Sequence, residues 1–101
     1  MKIGDKMHVI SRKRLLDFAN RHPDSRKSLD GWYRIIKKTI FSSFADLRRV
    51  FSSADQVGDF TVFNIGGNKI RLITLIFYKS AKVYIRHILT HSEYDKGKWK
   101  E

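Results

Sequence analysis

Near the C-terminus the run Thr90-His91-Ser92-Glu93-Tyr94-Asp95-Lys96 follows two strongly apolar segments, the earlier of which holds an arginine, Arg71. An imidazole, a phenol and fixed positive charge within reach of one another suit metal-free cleavage of RNA. Attack by a 2′-hydroxyl needs a base for the hydroxyl proton, a cation for charge on the phosphorane and an acid for the departing 5′-oxygen. Histidine, with a reference pKa of about 6.5, serves as base or acid near neutrality. His91 is the leading candidate, because the last strand leaves the sheet there and a side chain is both supported and exposed. Tyr94, three residues on, can hydrogen-bond phosphate or stack on a base. Lys69 and Lys96 add phosphate contacts. Arg71 interrupts Ile70-Arg71-Leu72-Ile73, where a charge is costly unless it is paired or faces a cleft. Its planar fork matches phosphate oxygens; the alternative is an ion pair with Asp59 or Glu93. Arg86, inside Tyr84-Ile85-Arg86-His87-Ile88, poses the same choice.

Metal binding is the rival chemistry. The histidines are His8, His22, His87 and His91. His87 and His91, four apart on a predicted strand, are separated by roughly 13 Å at about 3.3 Å per residue. That is too far to share a zinc ion bound at about 2 Å. There is no cysteine to help, so neither a metal nor another cofactor is expected.

The positioning elements follow from periodicity. A short strand at 8–10 precedes a helix over about 12–21, capped by Ser11, with Leu15, Phe18 and Ala19 on one face. Pro23 ends it. A second helix starts at Asp24 or Ser25, with Leu29, Trp32, Tyr33, Ile36 and Ile40 at helical spacing. Its other face carries Lys27, Arg34, Lys37 and Lys38, which could grip phosphates. Gly31 is an interior weak point, explicable by close packing. Ser43 and Asp46 resemble a capping box opening a third, short helix. From Asp55 the pattern turns strand-like: 60–65, a Gly66-Gly67 hairpin, 69–78, a turn without glycine, and 83–90. Strict alternation places Lys69, Arg71, Ile73, Leu75 and Phe77 on one face, and Tyr84, Arg86, Ile88 and Thr90 together on the next strand. Trp32, Tyr33, Phe44, Phe51, Phe60 and Phe63 read as core; Tyr84, Tyr94 and Trp99 are the candidates for base stacking. The fold class is α+β, in the order β-α-α-(α)-β-β-β, helices on a small antiparallel sheet.

Composition bounds the function. A chain of 101 residues, 42% hydrophobic, makes one domain. Residues 7–101 are read as that domain, and 1–6, followed by a second methionine, as a leader or remnant. Lys and Arg number 21 against 10 Asp and Glu, a formal charge of +11, concentrated in the helical half. Such an excess favours nucleic acid over membrane. Without cysteine there is no disulfide framework or thiolate chemistry, which fits a cytoplasmic protein. No apolar run approaches the roughly 20 residues of a spanning helix. A non-catalytic RNA- or DNA-binding module, or a structural protein of the ribosome, would explain the charge equally well.

Several segments together resemble one family. Asn64-Ile65-Gly66-Gly67-Asn68-Lys69-Ile70-Arg71-Leu72-Ile73, Val83-Tyr84-Ile85-Arg86 and Thr90-His91-Ser92-Glu93-Tyr94-Asp95 are similar to HigB toxins of bacterial type II toxin–antitoxin modules. So are Met7-His8-Val9-Ile10-Ser11 and the early helix ending near Pro23, so that the resemblance covers 7 to about 99. It implies a RelE-like fold and an mRNA interferase, a metal-independent endoribonuclease acting on the translating ribosome and arresting growth. It also implies a helix-turn-helix antitoxin, HigA-like, as partner. RelE-like toxins commonly use an arginine in the central sheet and a histidine, tyrosine or lysine near the last strand. Arg71 fits the first role; His91, Tyr94 and Lys96 fit the second. The lysine-rich stretch usual before the arginine strand is reduced here to Lys69.

Overall fold

The first and last strands of the chain lie side by side. In the computed structural model, which describes residues 7–67 and 69–100, β1 (His8–Ile10) runs parallel to β5 (Lys82–Thr90). Between them come α1 (Arg12–Arg21), a 3₁₀ turn (Pro23–Ser25), α2 (Arg26–Lys38), α3 (Phe44–Arg48), β2 (Asp55–Val57), β3 (Phe60–Ile65) and β4 (Ile70–Phe77). A short α4 (His91–Asp95) and a 3₁₀ turn (Lys98–Lys100) follow β5. The sheet order is β1-β5-β4-β3-β2. The expected α+β arrangement of helices and sheet is present, but the sheet is mixed rather than antiparallel, and a strand, β2, and a short helix, α4, are added to the expected order. The helices α1–α3 and the antiparallel run β2–β3–β4 intervene before β5 comes back beside β1 in the same direction, the long connection that a parallel pair requires. The reading of residues 1–6 as a leader or remnant lies outside the described residues.

Each face of the sheet buries a different cluster. Leu15, Phe18, Leu29, Trp32 and Ile36 of α1 and α2 pack on Phe63, Ile65, Ile70, Leu72, Val83 and Ile85. The opposite face buries Val62 and Ile73 beneath Trp99, with Phe60, Leu89 and Tyr94 around them. The helical layer therefore covers one face and the C-terminal segment the other. Ile40, assigned to the apolar stripe of α2, lies beyond the helix end and is 62% exposed. Gly31 is not explained by close packing, because an added Cβ would meet nothing within 4 Å.

Caps and turns refine the boundaries. Ser11 precedes α1 in the left-handed region (φ 72°) and makes no side-chain cap. Ser43 Oγ accepts from the Asp46 N–H at 3.1 Å as expected, but the Asp46 carboxylate accepts from the Ser42 N–H instead of completing the box at Ser43. Ile65 pairs with Ile70, so β4 starts one residue later than the expected 69, and Gly66 and Gly67 supply the turn's positive φ angles as expected.

The decisive irregularity is in β5. From the second hairpin the register runs Phe77 with Lys82 up to Thr74 with Ile85, then jumps to Ile73 with His87. Arg86 is the extra residue of a β-bulge. Arg14 donates from Nη1 to the Arg86 carbonyl at 2.8 Å, satisfying a group that the disturbed ladder leaves out. Beyond the bulge the faces exchange: Leu89 stands opposite Arg71 and Ile88 opposite Leu72, so Ile88 and Thr90 no longer share the face of Tyr84. Strict alternation failed at this point.

Candidate active site at the end of β5

A local capping box fixes where the sheet ends and α4 begins. Thr90 Oγ1 accepts from the Glu93 N–H at 3.3 Å, and Glu93 Oε1 accepts from the Thr90 N–H at 2.9 Å. This is the reciprocal arrangement in which Ser or Thr and a Glu three residues later satisfy one another's orphan donors. The Thr-x-x-Glu spacing was visible in the sequence and marks this helix start. The His91 N–H donates to the Lys69 carbonyl at 3.0 Å, tying the first turn of α4 to the strand that carries Arg71.

The structure brings three of the predicted residues to this corner. Tyr94 covers Arg71, whose guanidinium carbon lies 5.3 Å from the ring centroid, and His91 sits three residues earlier on the same short helix. His91 Nδ1 is 2.9 Å from Asp95 Oδ2. A carboxylate there holds the proton on Nδ1 and leaves Nε2 for chemistry, the logic by which an acid orients a catalytic histidine. Arg71 is only 8% exposed. An incoming phosphate must displace part of its aromatic cover to use the guanidinium.

Trp99 completes that cover. It stacks on Tyr94 at 5.1 Å and donates from Nε1 to the Tyr94 carbonyl at 3.1 Å. Its other neighbour is Phe60, edge-on at 5.7 Å. Trp99 is thus buried core, not a stacking platform for bases. Tyr84 is engaged edge-on by Phe77.

The predicted phosphate-binding residues divide. Lys69 is exposed and lines a cleft of about 510 Å³ with His22, Ser28, Gly66 and Thr90, on the helical side of the same corner. Lys96 lines a second cleft, of about 400 Å³, between β5 and the C-terminal segment. Arg34, Lys37 and Lys38 lie on α2, across the sheet from α4; the Lys37 ammonium sits 5.1 Å from the Tyr33 ring and Arg12 4.4 Å from it. Arg86 is exposed on the bulge. The α2 cations therefore do not adjoin Arg71 and Tyr94.

His87, weighed in the sequence only as a metal ligand, also reaches this side of the sheet. His87 stands opposite Ile73 on the Arg71 face and lines the 400 Å³ cleft with Glu93, Lys96 and Lys98. Burial, then the positive charges of Arg86 and Arg14, lower its pKa from 6.5. Counting register from the hairpin would set Arg86 in this place, and only the bulge substitutes His87.

Comparison with known proteins identifies the family. A family model described as HigB toxin, RelE-like toxic component of a toxin–antitoxin system, matches residues 25–97. The chain is 38% identical over 92 residues to the mRNA interferase toxin HigB of Escherichia coli, covering 88% of each chain. It is equally similar to the mRNA interferase HigB of Shigella flexneri. A relative of the same name from a second Escherichia coli strain is 33% identical over 93 residues, 89% of this chain and 90% of its own. With the mixed sheet, the helical layer and the corner at Thr90–Tyr94 described, the chain belongs to the HigB family of RelE-like toxins of toxin–antitoxin systems.

Proposed function

We propose that this protein is an mRNA interferase, an endoribonuclease that cleaves mRNA on the translating ribosome in the cytoplasm and so inhibits translation. Residues 7–101 act as one domain. The observation that carries the reading is Arg71 beneath Tyr94, with His91 one turn earlier and oriented by Asp95. In the reaction the 2′-oxygen attacks phosphorus, the bond to the 5′-oxygen breaks, and a 2′,3′-cyclic phosphate and a 5′-hydroxyl result. His91 moves a proton at one of the two oxygens, Arg71 stabilises the phosphorane charge, and Tyr94 orients the phosphate or stacks on a neighbouring base. The step needs no metal or other cofactor.

Lys69 and Lys96 neutralise phosphates next to the scissile one, and Arg86 extends that charge. Arg34, Lys37 and Lys38, on the far layer, serve ribosomal RNA instead. A HigA-like helix-turn-helix antitoxin is the partner that neutralises the toxin. Primer extension on mRNA from cells expressing the protein tests the reading: new 5′ ends are expected, and they disappear with His91→Ala, Arg71→Ala and Tyr94→Ala. Undiminished cleavage by all three variants removes the site assignment.

The low exposure of Arg71 gives a second reading some weight, a non-catalytic basic RNA-binding module in which Arg71 serves packing. That reading predicts stoichiometric RNA binding without cut products in the same experiment.

A further inference from the structure

The geometry points to His87 as a second proton-transfer group of this active site, taking the 2′-hydroxyl proton of an RNA strand bound in the cleft between β5 and the C-terminal segment. This rests on the cleavage reading above and adds a residue and a groove to it.

Register supplies the first support. Leu89 is directly opposite Arg71, and the ladder continues on both sides, His87 opposite Ile73 and the His91 N–H on the Lys69 carbonyl. His87 is therefore a diagonal neighbour of Arg71 within the ladder, and His91, the first residue of α4, lies just past the ladder's end on the other side of Leu89. Diagonal positions across an antiparallel pair lie about 7–8 Å apart, within reach of long side chains. Two imidazoles astride a guanidinium are what in-line displacement at phosphorus requires: one group beside the attacking oxygen, another beside the leaving oxygen.

The cleft supplies the second. It is an open groove of about 400 Å³ whose walls include His87, Lys96, Lys98 and Glu93, floored by Leu89 and Trp99. An imidazole between an apolar floor and two ammonium groups fits a phosphodiester with part of its ribose. His91, by contrast, has its Nδ1 committed to Asp95. The two imidazoles stand in different surroundings, and such a difference separates the roles of base and acid.

In the proposed step the 2′-hydroxyl proton passes to a ring nitrogen of His87 as the oxygen–phosphorus bond forms. The bond to the 5′-oxygen breaks, and that oxygen takes a proton from His91. Proton count is restored when each imidazole exchanges with water. The charged groups facing His87 are Arg86 on its own strand, Arg14, Asp17 and Arg21 from α1, and Glu93, Lys96 and Lys98 from the C-terminal segment. Asp17 is already paired with Lys13 at 2.8 Å. The net field is positive and favours the neutral imidazole, the form a base needs.

The test is single-turnover cleavage of a defined mRNA on translating ribosomes by the full chain, between about pH 5 and 8. His87→Gln keeps size and hydrogen bonding but cannot relay a proton. It should lower the rate at pH 7 by about 10²-fold or more, flatten the acid limb of the profile, and leave ribosome binding within a few-fold of the parent. His87→Ala should regain part of its rate with added imidazole, which a purely structural role would not allow. Replacing Lys96 and Lys98 with Gln should weaken substrate binding and move the acid limb of the profile toward higher pH, because two of the charges that favour the neutral imidazole are removed. His87→Gln cleaving near the parental rate with an unaltered profile overturns the inference. If His91→Ala and Arg71→Ala are inactive in the same assay, only the His87 role falls; if they too are fully active, the whole site falls.

Discussion

Arg71 lies beneath Tyr94, and Tyr94 is clamped from its other neighbour by Trp99. A cation against an aromatic face contributes about 0.5–2 kcal/mol, more when desolvated. Tyr94→Phe keeps the ring and should leave urea stability within about 0.5 kcal/mol, whereas Tyr94→Ala should lower it by about 2 kcal/mol. A double-mutant cycle with Arg71→Ala should return a coupling of about 0.5–2 kcal/mol. Zero coupling would separate the two residues.

The corner depends on the reciprocal Thr90–Glu93 cap. A helix as short as α4 has no stability of its own and holds only through its cap and its packing. Thr90→Ala should cost about 1 kcal/mol and raise hydrogen exchange at 91–95 selectively. Cleavage should fall as well, since His91 and Tyr94 ride on this helix, and Thr90→Ser should restore both readouts.

Asp95 orients His91 from an exposed position, so its effect should be modest. Asp95→Asn removes the carboxylate and should slow cleavage by roughly tenfold, the equivalent of one ordinary hydrogen bond. His91→Ala should cost far more. Equal losses for the two variants would mean that Asp95 does more than orient.

Much of this architecture could be read directly from residue types. The helix faces of Leu15, Phe18, Leu29, Trp32 and Ile36 and the strands around Phe63, Leu72 and Ile85 appear in the core as their spacing required. Arg71, His91 and Tyr94 were legible because a charge inside an apolar strand and a polar cluster at its neighbour's end are conspicuous. The mixed character of the sheet was not legible, because the pairing of 8–10 with 82–84 is set by a long crossover, not by local pattern. His87 was hidden for a different reason. One extra residue at Arg86 reverses the faces of everything after it, and bulges have no reliable residue signature. The burial of Trp99 was also invisible, since its partners Val62 and Ile73 are remote in the chain.

Gly31 offers a stabilising change away from the site. It sits inside α2 with room for a methyl group. Gly31→Ala should stabilise the protein by about 0.4–1 kcal/mol, mainly by restricting the unfolded chain. Denaturant midpoints would register this, with cleavage unchanged; a destabilised variant would mean an unrecognised backbone requirement.

His87 also links stability to pH. Its folded pKa is lowered from 6.5, so below that value the unfolded imidazole takes up a proton that the folded one resists. Stability is full above about 6.5 and declines as pH falls through the window beneath it. Urea midpoints measured from pH 7 to about 5 should slope downward, and His87→Gln should flatten part of that slope. An identical slope in the variant would assign the acid sensitivity elsewhere.

The pairing of the first strand with the last constrains how the molecule comes into being. Residues 8–10 find their neighbours only once 82–84 have been synthesised and released, and the corner bearing His91 and Tyr94 emerges later still. A nascent chain therefore carries its positive charge before it has a finished sheet or an assembled cleft. The C-terminal corner is thus the part of this fold that assembles after the sheet's other strands have been made.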